Sequence, residues 1–200
     1  TEYRAEDINY GKHLSLMNIA NTFATQIDSI LVYHLLGPAS LALYTFSTII
    51  PDRIRTLFGF IATAMFPRLA EKKLVDIKRD VTKRTLQLLI VSVVILIVYI
   101  LSAPFIYKLF FPQYLSSVIY SQIFSFSLLA IATNIPLTIL FAQRFQNELY
   151  YINVGIPILK IFITIVSIIL WGIWGAIISR ISGHIITLLF SFIYIKKQKI

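Results

Sequence analysis

The sequence predicts an all-α, polytopic membrane protein with six transmembrane helices. Of its 200 residues, 58% are hydrophobic and only 14% are charged, whereas about 25% of the residues of a soluble domain are charged. The apolar residues form unbroken runs instead of alternating with polar ones, which favours membrane helices over an outer-membrane barrel. The absence of cysteine excludes disulfides and thiolate metal sites.

The first predicted span covers residues 10–36. It ends at Gly37 and Pro38, because glycine closes a helix and proline cannot continue one. Four polar residues share one face of this helix: Asn18, Asn21, Thr25 and Asp28. Because a polar face is costly to expose to lipid, we expect this face to lie against other helices or a cavity. In the alternative interpretation, the three uncharged residues only hold helices together.

The second predicted span, residues 39–66, carries Asp52, Arg53 and Arg55 near its middle. Each such charge costs about 2.5–3.5 kcal/mol at a helix centre, whereas each Leu, Ile or Phe contributes only about 0.3–0.6 kcal/mol in return. The middle of the span is therefore expected to face protein or a water-filled cavity. Asp52 and Arg55, three residues apart, can pair along the helix, but Arg53 points about a third of a turn away and needs another partner.

A basic stretch, residues 68–84, follows the second span and is predicted to be a cytoplasmic loop. The alternative is a surface helix that binds anionic lipid head groups.

The third span is the most uniformly apolar and is expected to face lipid. The last four predicted spans are residues 85–103, 118–142, 149–171 and 176–195.

The distribution of Lys and Arg predicts the orientation. With a cytoplasmic N-terminus, the inner segments hold 13 of these residues and the outer turns hold only Lys108, a strong positive-inside bias. Both ends of the segment are therefore predicted to be cytoplasmic, in a cell membrane. Most of the net charge of +9 then reflects topology, and no nucleic-acid partner is predicted.

The remaining charges lie inside the predicted spans. The cations are Arg53, Arg55, Lys160 and Arg180, and the residues predicted to pair with them or to couple ions are Asp28, Asp52 and His184. Four cations against two carboxylates favour an anionic ligand, and guanidinium groups match phosphate oxygens well. A lipid-linked pyrophosphate or acidic sugar is the anionic cargo that a membrane offers, so the four cations are the predicted substrate-binding residues.

Structural roles for the same residues stay open. Asp28 pairs with Arg53 or Lys160 in this interpretation, Arg180 extends to the outer interface, and His184 is a packed or hydrogen-bonded histidine. Histidine pairs at metal-ligand spacing, a defensible Ser/His/Asp order and a glycine-rich phosphate loop are all missing from the sequence. We therefore predict no catalytic residue, metal or cofactor, with a membrane enzyme of polysaccharide assembly as the rival class.

Four segments carry a family resemblance: GKHLSLMNIANTFATQIDSILVYHLLGPASLALYTFSTIIP, FPRLAEK, LFFPQYLSSVIYSQIFSFSLL and GIWGAIIS. Together they resemble the second half of bacterial polysaccharide repeat-unit flippases, a branch of the multidrug/oligosaccharidyl-lipid/polysaccharide exporter superfamily. Asp28 occupies the position of that family's Asp.

The resemblance implies one six-helix lobe of a twelve-helix transporter that works by alternating access. It implies movement of an undecaprenyl-pyrophosphate-linked oligosaccharide from the cytoplasmic to the outer leaflet of the bacterial cytoplasmic membrane. The expected partners are this lipid-linked anionic oligosaccharide, membrane lipids and an N-terminal six-helix lobe of the same chain. A multidrug or lipid II type exporter of the same superfamily is the alternative.

Overall fold

The computed structural model describes residues 15, 22, 26–64, 74–142 and 150–197, with side chains for residues 15, 22, 26–60, 81–141 and 150–194. Asn18, Asn21 and Thr25 of the predicted polar face lie outside these ranges. So do the side chains of residues 68–80, which make up most of the predicted basic loop.

Every regular element in the described ranges is helical, which confirms the all-α prediction for that part of the chain. The described part of α1 is residues 26–36, and the other helices are α2 (Pro38–Ala64), α3 (Leu74–Phe110), α4 (Ser117–Phe124), α5 (Asn134–Ala142), α6 (Ile156–Trp171) and α7 (Ile173–Lys197). Two 3₁₀ segments, Pro112–Tyr114 and Ser125–Thr133, and a π turn, Tyr151–Gly155, connect or interrupt them.

Four stretches are long and apolar enough to cross a membrane: Val81–Phe110, Ser117–Phe141, Tyr151–Trp171 and Ile173–Tyr194. They correspond to the last four predicted spans. Helix α2 has 27 residues and a length of about 40 Å at 1.5 Å per residue, but its three central charges set it apart from these four. The described part of the chain is therefore that of a membrane protein, with four helices that are long and apolar enough to cross a bilayer.

Helix α3 is longer at both ends than the predicted span of residues 85–103. It begins at Leu74, inside the predicted basic loop, and continues through Pro104 to Phe110. Proline cannot donate a hydrogen bond to the carbonyl four residues earlier, here that of Ile100. The side-chain amide of Gln122 donates to this carbonyl at 2.9 Å instead, so the helix persists because α4 supplies the missing donor.

The stretch formed by α4, Ser125–Thr133 and α5 lies at the centre of the bundle and contacts α2, α3 and α7. Its core residues Leu128 and Ile131 are fully buried. By contrast, α3 and α6 expose large apolar side chains along their outer faces, among them Val94, Leu101, Phe162 and Ile169. Apolar residues that are exposed on a helix of this length suit contact with lipid tails, as predicted for the third span.

Helices α6 and α7 form a tight antiparallel hairpin. Gly172 has a φ of +57°, a conformation that glycine adopts without strain. A Cβ atom on Gly175 would stand 1.9 Å from the carbonyl oxygen of Ser167, so only glycine allows the two backbones to approach this closely. The hairpin fixes Lys160 on α6 relative to Arg180 and His184 on α7.

Three short turns lie at the same end of the bundle. Leu36 and Leu41, which flank Gly37, belong to one apolar cluster with Tyr120 of α4 and Ile173 of α7. The rings of Tyr120 and Trp174 are 4.6 Å apart between centroids. We call the end formed by Gly37, residues 111–116 and Gly172 the short-turn end.

Candidate functional site: an ion-pair network inside the bundle

Asp28 of α1 lies fully buried inside the bundle. The Nζ atom of Lys160, on α6, donates a hydrogen bond of 2.7 Å to Asp28 Oδ2. The aliphatic chain of Lys160 packs directly over Gly183 of α7. A Cβ atom on Gly183 would stand only 3.2 Å from Lys160 Cδ. The Asp28–Lys160 pairing that the sequence left open is therefore present, and it ties α1 to the α6–α7 hairpin.

Arg180 of α7 is the centre of the network. Its Nη2 atom donates to Asp52 Oδ2 at 2.7 Å, and its Nη1 atom donates to the hydroxyl of Tyr44 at 3.1 Å. The guanidinium carbon lies 5.2 Å from the centroid of the Phe124 ring, within the range of a cation–π contact, and Nε is 3.8 Å from Asp28 Oδ2. Arg180 therefore points into the bundle and does not extend to the outer interface, which was the structural alternative.

Arg55 completes the network on α2. Its Nη2 atom lies 3.1 Å from Asp52 Oδ1, which confirms the predicted pairing along the helix, although Asp52 Oδ1 makes no hydrogen bond within the described residues. The Nη1 atom of Arg55 is hydrogen-bonded to His184 Nε2. Because arginine has only donors, Nε2 must be the acceptor, which leaves the proton of a neutral His184 on Nδ1.

Arg53 differs from the other three cations. Its side chain is exposed, and within the part of the chain that the structure describes it takes part in none of the ion pairs. The residues that share its face of α2 are Thr45, Ile49, Thr56 and Phe60, all of them exposed. Arg53 and Arg55 therefore lie on nearly opposite faces of the helix, since residues two apart are separated by about 200°.

Exposure increases along the network from one end to the other. The side chain of Asp28 is 0% exposed, Lys160 and Arg180 are 12% and 13% exposed, and Asp52 and Arg55 are 23% and 24% exposed. The network thus opens to the surroundings at its Asp52–Arg55 end. Its residues lie about 12–27 Å along the helices from the short-turn end, at 1.5 Å per residue, which is less than the hydrocarbon thickness of about 30 Å of a bilayer.

The charges do not balance. The network contains three cations and two carboxylates, and Arg53 adds a fourth cation. Within the described residues no group of three His, Asp or Glu side chains could hold a metal ion. The arrangement can therefore attract an anion, and the described residues give no indication of a metal centre.

Sequence reasoning missed two parts of the site. It did not connect Arg180 with Asp52 or Arg55 with His184, which are 128 and 129 residues apart, and it assigned no role to Tyr44 or Phe124. The face that Tyr44 shares with Asp52 on α2 was a usable signal, because residues eight apart on a helix lie on the same side. For Phe124 no local signal exists, since its contact with Arg180 arises only from packing.

Comparison with known proteins adds no relative: no protein-family model, curated protein or solved structure matches the chain. Its function must therefore be inferred from its residues and their geometry.

Proposed function

We propose that this chain is one lobe of a membrane transporter that moves an anionic, lipid-linked oligosaccharide across the cytoplasmic membrane by alternating access. Arg53 contacts the phosphate or acidic head group of the cargo. The observation that carries this proposal is the exposed side chain of Arg53, which lacks an ion-pair partner among the described residues in the middle of a helix long enough to span the bilayer.

The energetics favour a ligand or cavity at Arg53 over lipid. An arginine inside the hydrocarbon core costs up to about 2.5–3.5 kcal/mol on insertion scales, and nothing described in the structure offsets this cost for Arg53. A phosphate-class anion would do so through charge-assisted hydrogen bonds. The network carries a surplus of one positive charge, and Arg53 adds another on a different face of α2, so both faces favour an anionic cargo.

The proposed lobe has six spans, with α1 and α2 joining the four more apolar ones. The distribution of basic residues supports its orientation. The short-turn end carries few basic residues, whereas Lys83 and Arg84 lie toward the opposite end of α3, and basic residues favour the cytoplasmic side. The resemblance to polysaccharide repeat-unit flippases supports the identity of the cargo and the presence of a second lobe.

The state of the carboxylates supports transport over catalysis. Asp28 and Asp52 both contact cations at 2.7 Å through Oδ2, and their Oδ1 atoms, which accept no hydrogen bond from the described residues, are buried, whereas an acid–base residue needs an oxygen that can reach a substrate. Transport demands only that the pairs can rearrange between conformations.

The test of the proposal is Arg53→Ala in the intact protein. We expect loss of surface-polysaccharide export at an unchanged protein level in the membrane, and partial recovery with Arg53→Lys, which keeps the charge but not the planar fork of donors. Lys83→Ala is the matched control, because Lys83 is also an exposed cation but lies at the start of the apolar stretch Val81–Phe110 and not in its middle. Normal export with Arg53→Ala would refute the proposed contact.

A further inference from the structure

We infer that Arg55 is a second oxyanion-binding residue, separate from Arg53, and that Asp52 is an internal competitor that occupies Arg55 until a phosphate-class anion displaces it. This inference rests on the proposed function for the identity of the ligand. It assigns Asp52 the role of limiting anion binding, not of binding cargo.

The two oxygens of Asp52 are held unequally. Oδ2 accepts a hydrogen bond of 2.7 Å from Arg180, whereas Oδ1 lies 3.1 Å from Arg55 without hydrogen-bond geometry to any described group. Charge-assisted hydrogen bonds of good geometry are the stronger kind. Asp52 can therefore release Arg55 and stay paired with Arg180, so no carboxylate is left buried without a partner.

Arg55 is held on its other side. Its Nη1 atom is hydrogen-bonded to His184 of α7, so the guanidinium keeps its position when Asp52 moves away. A guanidinium has five N–H donors, and the contacts to His184 and Asp52 leave others that can reach the oxygens of a ligand. His184 is thus a positioning residue for Arg55.

The location suits an incoming anion. Asp52 and Arg55 form the most exposed end of the network, at 23% and 24% of their side-chain surface. The network has one more cation than carboxylates, and the other two cations are better neutralised: Lys160 by Asp28 at 2.7 Å, and Arg180 by Asp52 at the same distance. The uncompensated charge therefore falls on Arg55.

The experiment measures binding of inorganic pyrophosphate and of farnesyl pyrophosphate to the intact protein, purified in detergent, by isothermal titration calorimetry. Asp52→Asn keeps an oxygen that can accept from Arg180 but releases Arg55. We expect binding of pyrophosphate to strengthen about tenfold, equivalent to about 1.4 kcal/mol. We expect Arg55→Gln to weaken binding in the otherwise unchanged protein, and to remove the gain when combined with Asp52→Asn.

The matched control is Asp28→Asn, which makes the same change in net charge at the fully buried end of the network. We expect it to strengthen binding less than Asp52→Asn does. An equal gain from both variants would overturn the inference, because it would reflect overall charge alone. Unchanged binding in both Asp52→Asn and Arg55→Gln would overturn it as well.

The two probes distinguish the sources of the anion. Tighter binding of farnesyl pyrophosphate than of inorganic pyrophosphate, with the same response to Asp52→Asn, indicates a lipid-linked ligand, whereas equal binding indicates a free phosphate. The proposed function and this inference fail separately. Normal export with Arg53→Ala refutes only the former, and pyrophosphate binding that does not respond to Asp52 or Arg55 refutes only the latter.

Discussion

The aliphatic chain of Lys160 lies across Gly183, and this contact decides where its ammonium group can go. The side chain is fixed at one end by α6 and at the other by Asp28, so it cannot simply swing away from an obstacle. Its Cδ atom lies 3.2 Å from the position that a Cβ atom on Gly183 would take. At the scale of single residues, the absence of a methyl group on Gly183 leaves room for the side chain of Lys160 in its buried ion pair.

Replacement of this glycine tests that argument. We expect Gly183→Ala to lower the free energy of unfolding by up to about 2 kcal/mol, because overpacking of a core typically costs about 1–3 kcal/mol and alanine recovers about 1 kcal/mol through its higher helix propensity. Thermal unfolding of the purified protein in detergent measures the effect.

The matched control is Gly59→Ala on α2, where an added Cβ atom would meet no atom of the described residues within 4 Å. We expect this variant to be as stable as the unmodified protein or up to about 1 kcal/mol more stable. Equal effects of the two substitutions would contradict the role assigned to Gly183.

At the scale of elements, the continuity of α3 depends on a donor from another helix. Pro104 leaves the carbonyl of Ile100 without its usual partner, and Gln122 of α4 replaces it. The buried hydroxyl contact between Tyr99 and Ser121, at 2.6 Å, joins the same two helices. Polar contacts between membrane helices of this kind contribute to their association.

We expect Gln122→Leu to destabilise the protein by about 1–3 kcal/mol, because a partly buried carbonyl is left without a donor. In a Pro104→Ala background the same substitution should cost less, since alanine at this position supplies the N–H group that proline lacks. A double-mutant cycle of unfolding midpoints measures this coupling. Additive effects of Gln122→Leu and Pro104→Ala would show that the amide of Gln122 does not compensate for the proline.

At the scale of the whole molecule, the open question is how the helices lie across the membrane. The chain contains no cysteine, so a single introduced cysteine can be labelled without background. Gln113 lies at the short-turn end, Lys83 lies at the other end of the apolar stretch Val81–Phe110, and both are exposed. They lie on opposite sides of the bilayer in the proposed orientation.

We expect Gln113→Cys to react with a membrane-impermeant maleimide in intact cells, and Lys83→Cys to react only after the cells are made permeable. The reason is the positive-inside bias, which assigns the basic end to the cytoplasm. The reverse labelling pattern would show the opposite topology. Labelling of both Gln113→Cys and Lys83→Cys in intact cells would argue against a membrane span between the two positions.

Relations between residues of the same helix could be read from the sequence. Thr164 and Ser167, three residues apart on α6, are both buried, and the predicted pairing of Asp52 with Arg55 is present. Both follow from the 3.6-residue period, which depends only on local sequence. The direction of Arg53 away from the core follows from the same geometry.

Partners on different helices could not be predicted in this way. The contact of Arg180 with Asp52 and the contact of Arg55 with His184 join residues that are 128 and 129 positions apart, and no local periodicity encodes such distances. The nine-residue 3₁₀ segment Ser125–Thr133 was also missed. It exceeds the usual three or four residues of such segments and lies among α2, α3 and α7, so its conformation depends on packing.

The sequence by itself determined that this protein is helical and suited to a membrane, and that charged residues must share the faces of its helices, because hydrophobicity and helical period are local properties. Only the tertiary structure decided which charges neutralise each other. It buries Asp28 with Lys160, centres Arg180 on Asp52, and leaves Arg53 on the exposed face of α2. The reason is that an ion pair between helices depends on their packing, which brings residues far apart in the chain into hydrogen-bonding distance.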